Sequence, residues 1–178
     1  MQLKPLLMTL CFTALAVGRM ASTHDVVSSF SKVTDLAAVV QKELHAVHNE
    51  TSTLELWSNL DINGLTNQIR EIKSILEAVP GPISLEECTE IIDAFYQMQP
   101  VVTANLQVLI DKKHIMDSLA FGRATAIIGL TLSDLKHLNK GIQDVFLALI
   151  PDGCKPEALP LMEQVNAIYD SSMSVYRP

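Results

Sequence analysis

Side chains able to do chemistry are few in this sequence, and they are dispersed. His45 and His48 stand three residues apart, a spacing that puts two imidazoles on one helix face as metal ligands require. No cysteine or carboxylate accompanies them in a zinc-type pattern, so they read as exposed polar positions beside an apolar stripe. Asp134 and His137 repeat the spacing without a G-x-S-x-G elbow or another nucleophile motif. His24 and His114 stand alone, and the adjacent carboxylates Glu86 and Glu87 suit a helix start, where the macrodipole favours negative charge. The expectation is a protein that is not an enzyme and holds no metal and no cofactor.

Polar residues set into apolar stripes carry more information. Gln99 follows Phe95 by one turn, Thr131 lies between Ile128 and Leu135, and Asn139 follows Leu135 by one turn. Each either hydrogen-bonds a neighbouring carbonyl or a buried water, or faces a cavity and orients the polar head of a ligand. Lys112, Lys113 and His114 form a small basic cluster in an acidic chain. They read as a solvated helix face or as the counter-charge for a carboxylate.

Three covalent features place the chain in the secretory route. Residues 1–18 combine Lys4, an apolar run from Leu6 to Val17 and small residues at Ala14, Ala16 and Gly18, the pattern of a cleaved signal peptide. The run is too short for a permanent membrane span. Cys11 leaves with the leader, and the remaining pair, Cys88 and Cys154, is expected to form a disulfide in an oxidising compartment. Closing a loop of that length contributes ~4 kcal/mol by the chain-entropy argument. Asn49-Glu50-Thr51 is a glycosylation sequon that falls where the first stripe stops, so Asn49 is expected on an exposed connection.

The elements that must position these residues are all helical. Val26, Phe30, Val33, Ala37, Val40, Leu44 and Val47 alternate steps of four and three, with Ser22 and Asp25 as a capping pair before them. A second stripe, Leu65, Ile69, Ile72, Leu76 and Val79, stops at Pro80-Gly81-Pro82. Ser84 and Glu87 form a capping box for a third, Cys88, Ile91, Phe95, Met98, Val102, Leu106 and Leu109, running on towards Met116 and Leu119. Pro100 is expected to kink or split this helix, and Gly122 to end it. The fourth stripe is Ala124, Ile128, Thr131, Leu135, Leu138, Ile142, Val145 and Leu149, and the fifth, after Pro156, is Met162, Val165, Tyr169, Met173 and Tyr176. No stretch alternates at period two long enough to be a strand.

Residues 19–178 therefore read as one all-α domain, an up-and-down bundle of about five amphipathic helices. In that topology the start of the third helix and the end of the fourth share one end, which brings Cys88 to Cys154. Hydrophobic residues make up 48% of the chain and aromatic ones 5%, so the core is aliphatic and Met-rich. The formal charge is −7, with no basic stripe, which argues against nucleic acid and against anionic membrane surfaces as partners. No second apolar run could serve as a transmembrane anchor, and Ser171 to Pro178 does not form a lipid-anchor signal.

The block from Phe95 to Val102, followed by Leu106, Leu109, Ile110, Lys112 and Lys113, resembles a fungal secreted family. So does the order of Leu132, Leu135, Leu138, Phe146, Leu149 and Ile150, with the closing Tyr176. The family is that of hydrophobic surface-binding protein A, which includes the antigenic cell-wall galactomannoproteins of moulds. The resemblance runs from about Val26 to Tyr176 and rests on aliphatic positions rather than on a catalytic motif. It implies a five-helix bundle around an apolar cavity. One branch binds long-chain fatty acids such as arachidonic acid and sequesters host signalling lipid. The other coats hydrophobic surfaces and helps a secreted esterase reach them. This sequence lacks a second copy of the domain, a Ser/Thr-rich stalk and an anchor signal, so a freely secreted form is expected over one held on cell-wall polysaccharide.

The stripes nominate a cavity wall. On the first two helices it comprises Phe30, Val33, Ile69 and Ile72; on the third, Phe95, Met98, Gln99, Val102 and Leu106. On the fourth it comprises Thr131, Leu135, Leu138, Ile142 and Phe146. Phe95, Met98, Leu106, Leu135, Leu138 and Ile142 are expected at its centre, and Met98, Met116, Met162 and Met173 would let the lining adapt to different chains. A structural wall antigen with a dry core is the alternative to a lipid carrier or a surface coat.

Overall fold

A computed structural model describes residues 20–52, 62–119 and 123–176. The leader, Trp57 and Gly122 lie outside these residues. The described chain is all α, as the stripes require: α1 Thr23–Ala46, α2 Ile62–Ala78, α3 Leu85–Asp111, α4 Lys113–Ser118, α5 Arg123–Leu149 and α6 Lys155–Tyr176, with a 3-10 turn at Asp152–Cys154. None of these helices is long and apolar enough to cross a membrane.

Both capping boxes form. The Asp25 amide donates to Ser22 Oγ at 3.3 Å while the Ser22 amide donates to Asp25 Oδ2 at 2.9 Å, opening α1. Glu87 and Ser84 repeat the exchange at 3.2 and 2.8 Å, opening α3. These bonds from Ser84, backbone first, hold the Glu87 carboxyl below the usual carboxylate range.

Helix α3 runs through Pro100 without the split that was one of the two expected outcomes. The reason is its face. Pro100 is exposed, and so is Tyr96, whose carbonyl loses its helical donor there and can be satisfied by water. The chain breaks instead at Lys112, where α3 gives way to the short α4. The Lys112 ammonium donates to the carbonyls of His45 and Val47, capping the C-terminal end of α1.

The five long helices close into a ring. Helix α1 packs on α2, α2 on α5, α5 on α6, α6 on α3, and α3 back on α1. Consecutive long helices reverse direction, yet α3 lies against α1 and α6, so the connection from Val79 to Ser84 crosses one end of the bundle. There the Ile83 amide donates to the Leu149 carbonyl at 3.0 Å. The disulfide between Cys88 and Cys154 forms at this same end, with Cα atoms 6.6 Å apart and both residues buried. Phe30 on α1 meets Phe95 on α3 edge to face, ring centroids 5.6 Å apart.

At the opposite end α6 is tied down by its last aromatic. Tyr176, 1% exposed, donates its hydroxyl to the Leu109 carbonyl at 2.7 Å. That carbonyl belongs to the final turn of α3, where helical donors run out. The approach requires a glycine on α5: a Cβ at Gly129 would stand 2.9 Å from the Tyr176 carbonyl oxygen. At Gly141 a Cβ would meet the flexible methylenes of Lys73 at 3.1 Å and 3.4 Å.

These contacts predict opposite outcomes for one substitution. Gly129→Ala forces backbone apart and should lower stability by about 1–2 kcal/mol, despite alanine's helix propensity. Gly141→Ala displaces a side chain and should be neutral or stabilising by up to about 1 kcal/mol. Thermal unfolding of both variants checks the pair, and equal effects would contradict the Tyr176 packing.

Candidate functional site

The inner faces of the ring do not close on one another. Three hollows lie in a row along the bundle axis. The widest, of about 80 Å³, sits at the end remote from the disulfide. Helix α1 contributes Val33, Ala37, Val40 and Leu44 to it, and α3 contributes Val102, Asn105, Leu106 and Leu109. Helix α5 adds Ile128, Thr131, Leu132 and Leu135, and α6 adds Tyr169. The α2 wall is Ile62, Leu65 and Ile69, all half-buried, in a helix whose buried residues are Ile72 and Leu76 near its far end.

A second hollow of about 30 Å³ shares Val33, Ile69, Val102 and Tyr169 with the first and adds Phe30, Ile72, Phe95, Met98, Gln99 and Ile142. A third, of about 20 Å³, shares Phe30, Phe95 and Ile142 with the second and reaches Phe146, Leu161 and Met162. From Ile91 to Leu109 on α3 the row spans roughly 27 Å, the length of an extended long acyl chain. Among the described residues no charged side chain lines any of the three. The described residues of the row's wall include no carboxylate, imidazole, thiol or amine.

Its few polar groups differ in how well they are satisfied. Asn139, Gln143 and Asn166 bond one another between α5 and α6, with Asn166 Nδ2 donating to Gln143 Oε1 at 3.0 Å. Gln99 Nε2 donates to Gln164 Oε1 at 2.9 Å. Asn105, 8% exposed, donates from Nδ2 to the Ala37 carbonyl at 2.7 Å, bridging α3 to α1. A carbonyl cannot donate, so this contact fixes which way the amide points. The other end, Asn105 Oδ1, is buried without a partner among the described residues, which costs about 1–3 kcal/mol. Burial pushes the Tyr169 phenol up to about 12, so it stays protonated.

The basic cluster lies elsewhere. Lys112 is occupied by the end of α1, and Lys113 pairs with Asp117 and lies over the Tyr176 ring, 5.5 Å from its centroid. Of the two spaced histidines, His48 accepts from the Glu50 amide through Nδ1 and belongs to the turn after α1. Asn49 is exposed in that turn, while the sequon's Thr51 accepts from the His48 amide at 2.9 Å.

Among the nominated wall residues, Val33, Ile69, Val102, Leu106, Thr131 and Leu135 line the first hollow. Phe30, Ile72, Phe95, Met98, Gln99 and Ile142 line the second, and Phe146 the third. Leu138 lines none; it is half-buried, rotated roughly 80° from the middle of the buried face running through Ile128, Leu135 and Phe146. Leu132 takes its place towards the axis. The nominated wall contained no residue of α6, although Tyr169, Val165 and Met162 stood on the fifth stripe and line the row. Asn105 was also missed, with a signal in plain view: Ile91, Phe95, Met98, Val102, Asn105 and Leu109 alternate steps of four and three.

No known family pattern matches the sequence, and no curated protein matches it. Solved structures do match in fold. AFMP4P in complex with palmitic acid aligns over 88% of this chain and 100% of its own, with a TM-score of 0.77 at 14% identity. Ligand binding domain 1 of the Penicillium marneffei MP1 protein, complexed with arachidonic acids, aligns over 90% of this chain and 100% of its own, with a TM-score of 0.75 at 13% identity. Ligand binding domain 2 of the same protein, complexed with multiple arachidonic acids, covers 90% of this chain and 97% of its own, with a TM-score of 0.72 at 16% identity. The chain thus shares the helical fold of these ligand-binding domains.

Proposed function

We propose that the protein is a secreted, non-enzymatic binder of long-chain fatty acids or closely related lipids, carried in the row of hollows and used for sequestration or transport. The observation that carries this reading is the row of apolar hollows along the bundle axis, adjacent ones sharing wall residues, in a fold shared with chains complexed with palmitic and arachidonic acids. Membership of the mannoprotein branch of the hydrophobic surface-binding family belongs to the same proposal. The leader, the disulfide and the exposed Asn49 support export, with a glycan on the turn after α1.

The energetics allow it. Burying about 15 methylenes at ~0.8 kcal/mol each gives ~12 kcal/mol gross. Association and chain ordering remove several kcal/mol of that, which leaves micromolar affinity within reach. The unliganded hollows are smaller than an acyl chain, so binding needs the ring to widen. The α2 wall is the place where widening exposes least: Ile62, Leu65 and Ile69 are already partly exposed. A coat for hydrophobic surfaces would need more, since the exposed large hydrophobics Val39, Leu85, Tyr96, Ile127, Leu130 and Leu159 are spread over four helices.

The mature chain, expressed through a eukaryotic secretory route and purified without detergent, should release near-stoichiometric fatty acid or related lipid into solvent for mass spectrometry. Delipidated protein should unfold roughly 5–10 °C higher with oleate at about a hundred times its Kd. An empty protein whose unfolding ignores oleate and arachidonate would defeat the proposal. Val102 borders both the first and second hollows, so Val102→Trp should block the row. Oleate affinity should fall at least tenfold with helix content retained, as circular dichroism would verify; unchanged affinity would remove this route through the bundle.

A further inference from the structure

The polar end of a lipid in the first hollow meets a wall whose described residues are all uncharged. Asn105 lines this hollow, the bond from its Nδ2 to the Ala37 carbonyl fixes the amide's orientation, and its buried Oδ1 is an acceptor that nothing among the described residues satisfies. Among the described residues no cationic side chain lines the hollow. The two lysines just beyond the end of α3 are engaged elsewhere: Lys112 with the His45 and Val47 carbonyls, and Lys113 with Asp117. An ionised carboxylate would bring further acceptors beside an unsatisfied one, with no opposite charge to compensate its desolvation. A group that carries a proton to donate would satisfy the orphaned oxygen and remain neutral.

Resting on the lipid-binding reading above, we infer that the first hollow selects an uncharged head group with a hydrogen-bond donor, a hydroxyl or a protonated acid, which donates to Asn105 Oδ1. Long-chain alcohols and partial glycerides are then better ligands than ionised fatty acids of the same chain. Tyr169 and Thr131, in the same wall, bring hydroxyls that could serve the ligand's own acceptor. The acyl chain runs from there along the row towards Phe30 and Phe95.

Three ligands sharing one cis-9 C18 chain test this at pH 8: the alcohol, the methyl ester and the ionised carboxylate, titrated into delipidated full-length mature protein. The alcohol should bind at least about tenfold tighter than the ester, which is neutral but cannot donate, and tighter than the carboxylate. Asn105→Leu should erase the alcohol's advantage while leaving the ester's affinity within about threefold. Equal binding of alcohol and ester, or tightest binding of the carboxylate, would overturn the inference while the lipid-binding reading stands. Failure of all three to bind would overturn that reading and the inference with it. The ligand series on the parent protein decides the matter even if the variant folds poorly.

Discussion

Five helices in a ring cannot fill the centre of that ring with short side chains, and the rest of this structure follows from that constraint. At interaxial distances of 8–10 Å, the middle of a five-membered ring lies about 8 Å from each helix axis. Valine and alanine do not reach that far. The first hollow, the widest of the three at about 80 Å³, is lined on α1 by Val33, Ala37 and Val40, with Leu44 beyond them. The third, at about 20 Å³, is where Phe30, Phe95, Phe146, Leu161 and Met162 converge. The taper along the axis follows side-chain length, and the space available to an acyl chain is a consequence of where the sequence places small aliphatics.

The two ends of the bundle are held differently. At the narrow end a covalent bond between Cys88 and Cys154 joins α3 to the turn before α6, and the Ile83 amide binds the last turn of α5. At the wide end the ties are side chains reaching helix termini: Lys112 to the end of α1, and Tyr176 to the end of α3. These satisfy carbonyls that every helix leaves unpaired, and they can be remade after a small displacement, as a covalent clamp cannot. Widening for a ligand therefore belongs to the end with the larger hollow, where α2 contributes half-buried residues.

Polar groups inside the ring divide in the same way. Asn139, Gln143 and Asn166 satisfy one another across α5 and α6 and hold that seam in register. Asn105 is left half-satisfied in the wall of the wide hollow. A buried acceptor without a partner works against the free protein and in favour of whatever supplies a donor, so under the proposed lipid binding the residue that ties α3 to α1 is also the one that selects the head group.

The five long helices, the two capping boxes, the cysteine pairing and most of the apolar wall were legible because each depends on local spacing, whereas the break that sets off α4 was not. A 3.6-residue period, a Ser three residues before a Glu, and short connections act within a few turns of chain. On α5 that reasoning had two solutions: Thr131, Leu135, Leu138 and Ile142 make one stripe, and Leu132, Leu135, Asn139 and Phe146 another, a fraction of a turn away. Both begin at Ile128, and the second is the one the tertiary structure buries. Amphipathicity defines a face to within about one residue, while the rotation of a helix about its own axis is set by its neighbours, here α2 and α6. The uninterrupted α3 is a similar case, since Pro100 is tolerated because the bundle leaves its side of the helix in water. Sequence by itself determined which helices form and roughly which face each one buries. Tertiary structure alone decided which helices are neighbours, how far the ring falls short of filling its axis, and which polar atom is left over, because all three depend on contacts between residues far apart in the chain.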